Sequence, residues 1–285
     1  MKIIYKPLFL FLLTIGYSSC DFLDIVPDEI TTEADAFKDR NAAKNFVYSC
    51  YGYLPQSNVA SGSLDLLTGD EVITAFEHET FASFPKGNYT ASSPVISYWN
   101  TFFQGLRQCY IFLENVDKVP DLTESVKTDY IAQVKFLIAY YHYQLARCYG
   151  PIILIKELPD VNASQAEYLP RTSYDECVDW ICNLLDEAAS SLPAIRTNKE
   201  DYGLATSVGA KAVKAKMLLY AASPLFNGNS SFYSNFTDKS GSQLMPLTYD
   251  PNKWVKAKTA IKEAIDLAEQ NGHALYVKQD YKIGN

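Results

Sequence analysis

The sequence predicts an all-α fold in which helices pack in successive pairs. Apolar residues recur at helical spacing in six segments, and proline or glycine stands where nearly every one of these stripes ends. No alternating apolar and polar pattern of strand length is convincing, and the best candidate is the short stretch from Ile152 to Ile155. We therefore expect helices joined by loops, without an extended sheet.

The first three predicted helices occupy residues 32–54, 94–120 and 126–148. Pro55 ends the first, and the second opens at Ser93-Pro94, because proline suits the first helical position. The third has the strongest pattern, with apolar residues in steps of three and four until Gly150-Pro151. Its stripe consists of Val126, Tyr130, Val134, Leu137, Tyr141, Leu145 and Cys148.

Three further helices are predicted over residues 173–193, 206–223 and 250–272. Ser173 and Glu176 have the spacing of a capping box, and Thr206 can cap the next helix in the same way. That next helix is rich in alanine, so its neighbours can approach closely. The last helix has a predicted buried stripe of Trp254, Ala257, Ile261, Ala264 and Ala268.

Residues 1–19 have the order of a secretory signal peptide: Lys2 and Lys6, an apolar run over residues 8–15, and then small or polar residues. The run is too short for a membrane-spanning helix, which needs about 20 residues. Cys20 stands where a lipoprotein carries its acylated cysteine, although Tyr17 replaces the usual leucine three residues earlier. We expect removal of residues 1–19 and lipid attachment at Cys20, which would tether the chain to a membrane.

The formal net charge is −8, and removal of Lys2 and Lys6 with the signal peptide would make it −10. An acidic body does not suit nucleic acid, which attracts basic surfaces. Five cysteines follow Cys20 at scattered positions that fit neither a disulfide framework nor a paired metal site. We interpret all five as small core residues.

No catalytic, phosphate-binding or metal-ligating motif occurs in the chain, so we expect no enzyme, no cofactor and no metal site. The three histidines are far apart, and His142, within an aromatic helix, is interpreted as a core residue whose ring nitrogens have partners. Asp70 and Glu71 are the one acidic pair of interest, but adjacent residues rarely face the same point.

Helical pairs with alanine and aromatic inner faces resemble tetratricopeptide repeats, most closely over residues 254–269. The repeat is irregular, however, and long insertions at residues 55–92, 151–172 and 223–250 separate the helices. Loops of this length are often functional.

Several motifs, taken in order, resemble those of the SusD/RagB outer-membrane nutrient-binding lipoproteins of Bacteroidota. They begin at Cys20-Asp-Phe-Leu-Asp24 with Pro27, and Ile138 departs from the family by replacing its usual arginine. The other matching motifs are Tyr98-Trp99, Leu106-Arg107, Phe112 to Asn115, Phe136 to Leu145, Tyr149-Gly150-Pro151, Pro170 to Ser173, Leu192-Pro193, Lys216 to Tyr220 and Ser223 to Gly228.

The resemblance implies a SusD-like helical domain over residues 20–225 and the start of a C-terminal region over residues 226–285, whose remainder we expect to be missing. It also implies a lipid-anchored protein on the cell surface that captures oligosaccharides or other nutrients, without bond-breaking chemistry. The implied partner is a SusC-type TonB-dependent transporter in the outer membrane.

The insertion at residues 55–92 is the expected ligand-binding surface, because it combines aromatic residues with carboxylates. Aromatic faces stack on sugars, and carboxylates accept hydrogen bonds from their hydroxyl groups. We name Asp70, Glu71, Phe84 and Tyr89 as candidate ligand-binding residues. The alternative is a lipid-anchored tetratricopeptide-type scaffold that binds protein and has no small-molecule ligand.

Overall fold

The computed structural model describes residues 33–55, 69, 82–160, 162 and 169–276. Within these ranges there are nine α-helices and no strand, only two isolated bridges that pair Thr90 with Ser93 and Thr237 with Gln243. The all-α prediction is confirmed. The helices are α1 (Glu33–Ala36), α2 (Arg40–Tyr51), α3 (Ser83–Lys86), α4 (Trp99–Asn115), α5 (Glu124–Tyr149), α6 (Tyr174–Ser191), α7 (Ser207–Ala222), α8 (Ser230–Tyr233) and α9 (Asn252–Gln270).

The long helices pack in chain order. Helix α2 lies against α4 and α5, and α4 also packs on α5. Helix α5 then packs on α6, α6 on α7, and α7 on α9. This succession of helical neighbours is the tetratricopeptide-like arrangement that the sequence predicts.

Helix α5 is the central element of the core. It is 26 residues long and contacts α2, α4, α6 and α7. Leu137, Tyr141 and Leu145 of its predicted stripe are fully buried. The prediction of a helix over residues 126–148 is thus confirmed, and Gly150, with φ of 72°, ends it as expected.

The predicted helix starts at Ser173 and Thr206 are also confirmed. The Ser173 hydroxyl accepts a bond of 3.4 Å from the Glu176 amide, and the Thr206 hydroxyl accepts one of 3.1 Å from the Gly209 amide. Each bond satisfies an amide that has no partner within its helix. Four of the five cysteines in the described ranges are buried, whereas Cys148 is half-buried.

Three details of the predicted helices are wrong. Residues 32–54 do not form one helix, because Asp39 caps the Ala42 amide at 2.8 Å and starts a new one. Pro94 does not open α4, since Thr90 and Ser93 exchange backbone bonds of 3.1 Å in a tight turn and helical structure begins only at Trp99. Trp254 is 41% exposed, because α9 packs on α7 through its alanines instead.

A connected polar network joins α2, α5 and the segment between α6 and α7. Arg196 forms two bonds of 2.9 Å with the Asp129 carboxylate and also donates to the carbonyl of Ala205. Gln133 donates to Asp129 and accepts from the Tyr51 hydroxyl, which in turn accepts from the Ala205 amide. Three separate segments are thereby held together through their hydrogen bonds.

The stretch from Ile152 to Ile155 is not a strand, but its side chains do alternate. Ile152 and Leu154 are buried, and side chains from two helices bind the backbone of Ile155. The Tyr110 hydroxyl donates to its carbonyl at 2.6 Å, and its amide donates to Nε2 of His142 at 3.1 Å.

His142 is a buried core residue with partners on both ring nitrogens, as expected. Its Nδ1 lies 2.8 Å from the carbonyl of Ile138, and its Nε2 accepts from Ile155. This arrangement fixes a neutral ring that carries its proton on Nδ1. Burial lowers the pKa of His142 to about 4, although the bond to Ile138 works in the opposite direction.

Hydrogen bonds join the two ends of the insertion at residues 223–250. The Asn227 side chain donates to the carbonyl of Asp250 and accepts from its amide, both at 2.9 Å. Next to it, Gly228 has φ of 79°, and a Cβ atom at this position would lie 2.3 Å from the Tyr249 amide nitrogen. Only glycine fits there, so the Asn227-Gly228 pair fixes the path between α7 and α9.

We expect Gly228→Ala to lower the free energy of unfolding by about 3 kcal/mol or more, because it adds a backbone clash to an unfavourable φ. The matched control is Gly241→Ala, where φ is 86° but no atom lies within 4 Å of the new Cβ. That variant should lose about 1 kcal/mol. Urea denaturation measures both values, and equal losses would contradict the close approach at Gly228.

We also expect His142 to make stability pH-dependent. The pKa of His142 is about 4 in the folded chain and about 6.5 in the unfolded chain. Between about pH 4 and 6.5 the ring is therefore protonated in the unfolded state and neutral in the folded state. The free energy of unfolding should fall by roughly 3 kcal/mol as the pH drops from about 6.5 to 4, and this group should add no further loss below that. His142→Gln should flatten that part of the profile, and an unchanged slope would show that other groups cause it.

Candidate functional site

The structure describes two of the four candidate ligand-binding residues. Phe84 and Tyr89 lie in the described part of the 55–92 insertion, whereas Asp70 and Glu71 lie outside the described residues. Cys20, the expected lipid-attachment residue, is outside them as well. The site is therefore built from Phe84 and Tyr89 outward.

A short helix end brings Phe84 and Tyr89 together. Phe84 belongs to α3, which ends at Gly87 with φ of 66°. The Gly87 amide donates to the carbonyl of Phe84 and the Asn88 amide to that of Ser83, both at 3.0 Å. This reversal is typical of a glycine-terminated helix, and it returns Tyr89 towards Phe84.

The two rings form an edge-to-face pair at the surface. Their centroids are 5.5 Å apart, with 62° between the ring planes. Tyr89 is 51% exposed, and Phe84 is half-buried. Such a pair limits the motion of both rings, so that an apolar surface and a phenol group are presented to solvent in a fixed orientation.

Hydroxyl groups follow directly after this aromatic pair. The Thr90 hydroxyl accepts from the Ser93 amide at 3.1 Å and lies 3.2 Å from the Ser92 hydroxyl. The turn is exposed and polar. An aromatic pair beside a row of hydroxyls can contact both the apolar face and the hydroxyl groups of a ligand.

A second aromatic cluster, which the sequence did not identify, lies at the start of α4. The rings of Trp99 and Tyr149 meet edge to face, with centroids 5.2 Å apart. The Arg171 guanidinium lies over the Trp99 ring, 5.6 Å from its centroid. The Tyr149 hydroxyl accepts from the Tyr98 amide at 3.0 Å, which fixes this ring against the first turn of α4.

Arg171 is itself held by the backbone at the end of α5. It donates to the carbonyl of Pro151 at 2.9 Å and to that of Tyr149 at 3.3 Å. The contacts of this cluster join residues 20 to 72 positions apart, which periodicity cannot reveal. The motifs around Trp99, Tyr149 and Arg171 were visible in the sequence, but nothing in them indicated that these three side chains meet.

The titratable groups of the described ranges do not indicate acid–base or metal chemistry. No group of three or more histidine, cysteine or acidic side chains there could hold a metal ion. Burial raises the pKa of the Cys177 thiol to about 11 and that of Cys182 to about 12, so both stay protonated near neutral pH. In the same part of the chain, every helix is too short or too polar to cross a bilayer. The arrangement is suited to stacking and hydrogen bonding.

Comparison with known proteins identifies the family. Residues 21–219 match the family described as "Starch-binding associating with outer membrane". This match covers more than half of the chain. The chain belongs to the SusD-like family. Members of this family are binding proteins, and they associate with the outer membrane.

Three individual proteins illustrate the similarity. SusD-like protein P25 of Formosa agariphila is 23% identical over 230 residues, which are 76% of this chain and 43% of that protein. The structure of BT4246 is 36% identical, with a TM-score of 0.78, and covers 86% of this chain and 42% of its own. A laminarin-binding SusD-like protein is 21% identical, with a TM-score of 0.56, over 65% of this chain and 41% of its own. The chain spans less than half the length of these relatives.

Several SusD-like motifs have structural roles in this member. Gly150 ends α5, Arg171 binds the backbone beside it, and Asn227 with Gly228 closes the insertion before α9. Ile138, at the position where arginine is usual, is buried, and its carbonyl is a partner of His142. An apolar side chain thus fills this position in the core.

Proposed function

We propose that this SusD-like chain acts as a cell-surface lipoprotein that binds glycans or other nutrients and delivers them to a SusC-type TonB-dependent transporter in the outer membrane. Membership of the family supports association with that membrane. The name of the laminarin-binding relative supports a carbohydrate ligand. Neither a catalytic residue nor a cofactor enters this proposal.

The observation that carries the proposal for this chain is the surface pair of exposed Tyr89 and half-buried Phe84. A pyranose ring has an apolar face that can stack on an aromatic ring, and its hydroxyl groups require hydrogen-bond partners at the edge. The phenol of Tyr89 and the hydroxyls of Thr90 and Ser92 are suitable partners. Asp70 and Glu71, from the same insertion, are proposed as additional acceptors.

Phe84→Ala and Tyr89→Ala should each weaken glycan binding by about 1–2 kcal/mol, since each removes one half of the stacking surface. Isothermal titration with laminarin and with soluble starch measures the change. The matched control is Tyr202→Ala, which removes a tyrosine that is 64% exposed elsewhere on the surface. Circular dichroism should show unchanged helicity in all three variants. Unchanged affinity in both site variants would mean that the pair is only a packing contact of the loop.

The proposed lipid anchor is tested by Cys20→Ala, which removes the thiol that would be acylated. We expect the variant to move from the membrane fraction to the soluble fraction, because it lacks the acyl chains that would tether the body to the bilayer. Immunoblots of salt-washed membranes measure this distribution. A variant that remains with the membrane would place the anchor elsewhere. Protease treatment of intact cells tests surface exposure separately.

The proposed transporter should be recovered with this protein by affinity capture from detergent-solubilised outer membranes. We expect a TonB-dependent barrel protein in an amount comparable to the captured chain, because delivery requires a stable contact surface. Mass spectrometry identifies the captured proteins. Recovery of soluble periplasmic proteins without a barrel would favour the protein-binding scaffold instead.

A further inference from the structure

A solvent-open groove of about 100 Å³ lies between α6, α7 and the start of α9. It is far along the chain from the Phe84–Tyr89 pair, and different helices form it. Val178, Leu218 and Ala221 are its apolar lining residues. Val178 and Ala221 are buried, so this floor is a fixed part of the helix packing.

Positively and negatively charged side chains surround the apolar floor of the groove. Lys253 and Asp175 form an ion pair of 2.5 Å, and the Lys253 side chain is only 13% exposed. Asp250 is held in place because Asn227 binds its backbone and its carboxylate accepts from the Asn252 amide at 2.9 Å. These three groups are therefore positioned before any ligand arrives.

Asp179 and Lys256 also line the groove. Among the described residues, neither has an ion-pair partner within 4.0 Å. The groove thus offers a carboxylate acceptor and an ammonium donor, in addition to the fixed ion pair. A ligand that both donates and accepts hydrogen bonds can satisfy the two groups together.

The charge pattern restricts the ligand. Three carboxylates disfavour an anion, and two ammonium groups disfavour a cation. A neutral ring rich in hydroxyl groups fits better, because hydroxyls pair with either sign while the C–H face of the ring covers the apolar floor. The volume is smaller than the roughly 150 Å³ cavity that holds benzene, so only one ring can enter, and only partly.

We propose that this groove is a second carbohydrate site, which takes a single sugar ring such as a monosaccharide or the end of an oligosaccharide. Asp179 accepts from the sugar hydroxyls, Lys256 donates to them, and Val178 with Leu218 contacts the ring. The site does not depend on the glycan surface at Phe84 and Tyr89. Either site can fail without affecting the other.

The test is a titration of the full chain, labelled in its valine and leucine methyl groups, with D-glucose, D-galactose, D-mannose and N-acetyl-D-glucosamine. NMR signals of Val178 and Leu218, assigned with Val178→Ile and Leu218→Met, should shift and saturate with at least one sugar below about 50 mM, a range suited to millimolar affinity. Sorbitol, which has hydroxyls but no ring, should cause no saturable shift.

Asp179→Asn should weaken this binding about tenfold, since it removes a charged acceptor. The matched control, Asp266→Asn, removes a carboxylate of α9 that pairs with Lys262 on the exposed surface, and it should leave the affinity unchanged. Phe84→Ala should leave the Val178 shifts unchanged. The proposal is overturned if no sugar shifts the floor signals, or if Asp179→Asn binds as tightly as the parent chain.

Discussion

The constraint on which the rest of the structure depends is the burial of polar groups on α5. Gln133, Tyr141 and His142 are all buried, and each forms a hydrogen bond with a partner outside α5. Tyr51 of α2 donates to Gln133, Tyr141 donates to the carbonyl of Cys50, and Ile155 donates to His142. A buried polar group without a partner costs about 1–3 kcal/mol, so these bonds determine which segments can lie beside α5.

Helix α5 also determines the position of an aromatic cluster at the surface. The end of α5 at Gly150 supplies the carbonyls that hold Arg171, and Arg171 and Tyr149 in turn flank Trp99 at the start of α4. The aromatic cluster is consequently attached to the helix that has the most buried residues among those described. Recognition surfaces built on rigid elements lose less conformational entropy on binding than surfaces on free loops.

Sequence patterns predicted the elements that local interactions determine. The stripes and caps located α5, α6, α7 and α9 to within a few residues, because helix periodicity and capping act over a few positions. The exposure of Trp254 was not predicted, because apolar residues at helical spacing do not indicate which neighbouring helix covers each of them. Within the candidate site, Phe84 and Tyr89 lie five residues apart and were both named from the sequence, although their ring contact was not predicted. The contact of Trp99 with Arg171, 72 positions away, could not.

The bond between the Tyr51 hydroxyl and the Ala205 amide also bears on the order of folding. It joins residues 154 positions apart, whereas the helix pairs themselves form mostly between neighbours in the chain. Local pairs assemble quickly, but a contact of such long range has to wait for loop closure. A growing chain can therefore collect its helices one after another, yet the Ala205 partner of α2 becomes available only after more than 200 residues have emerged.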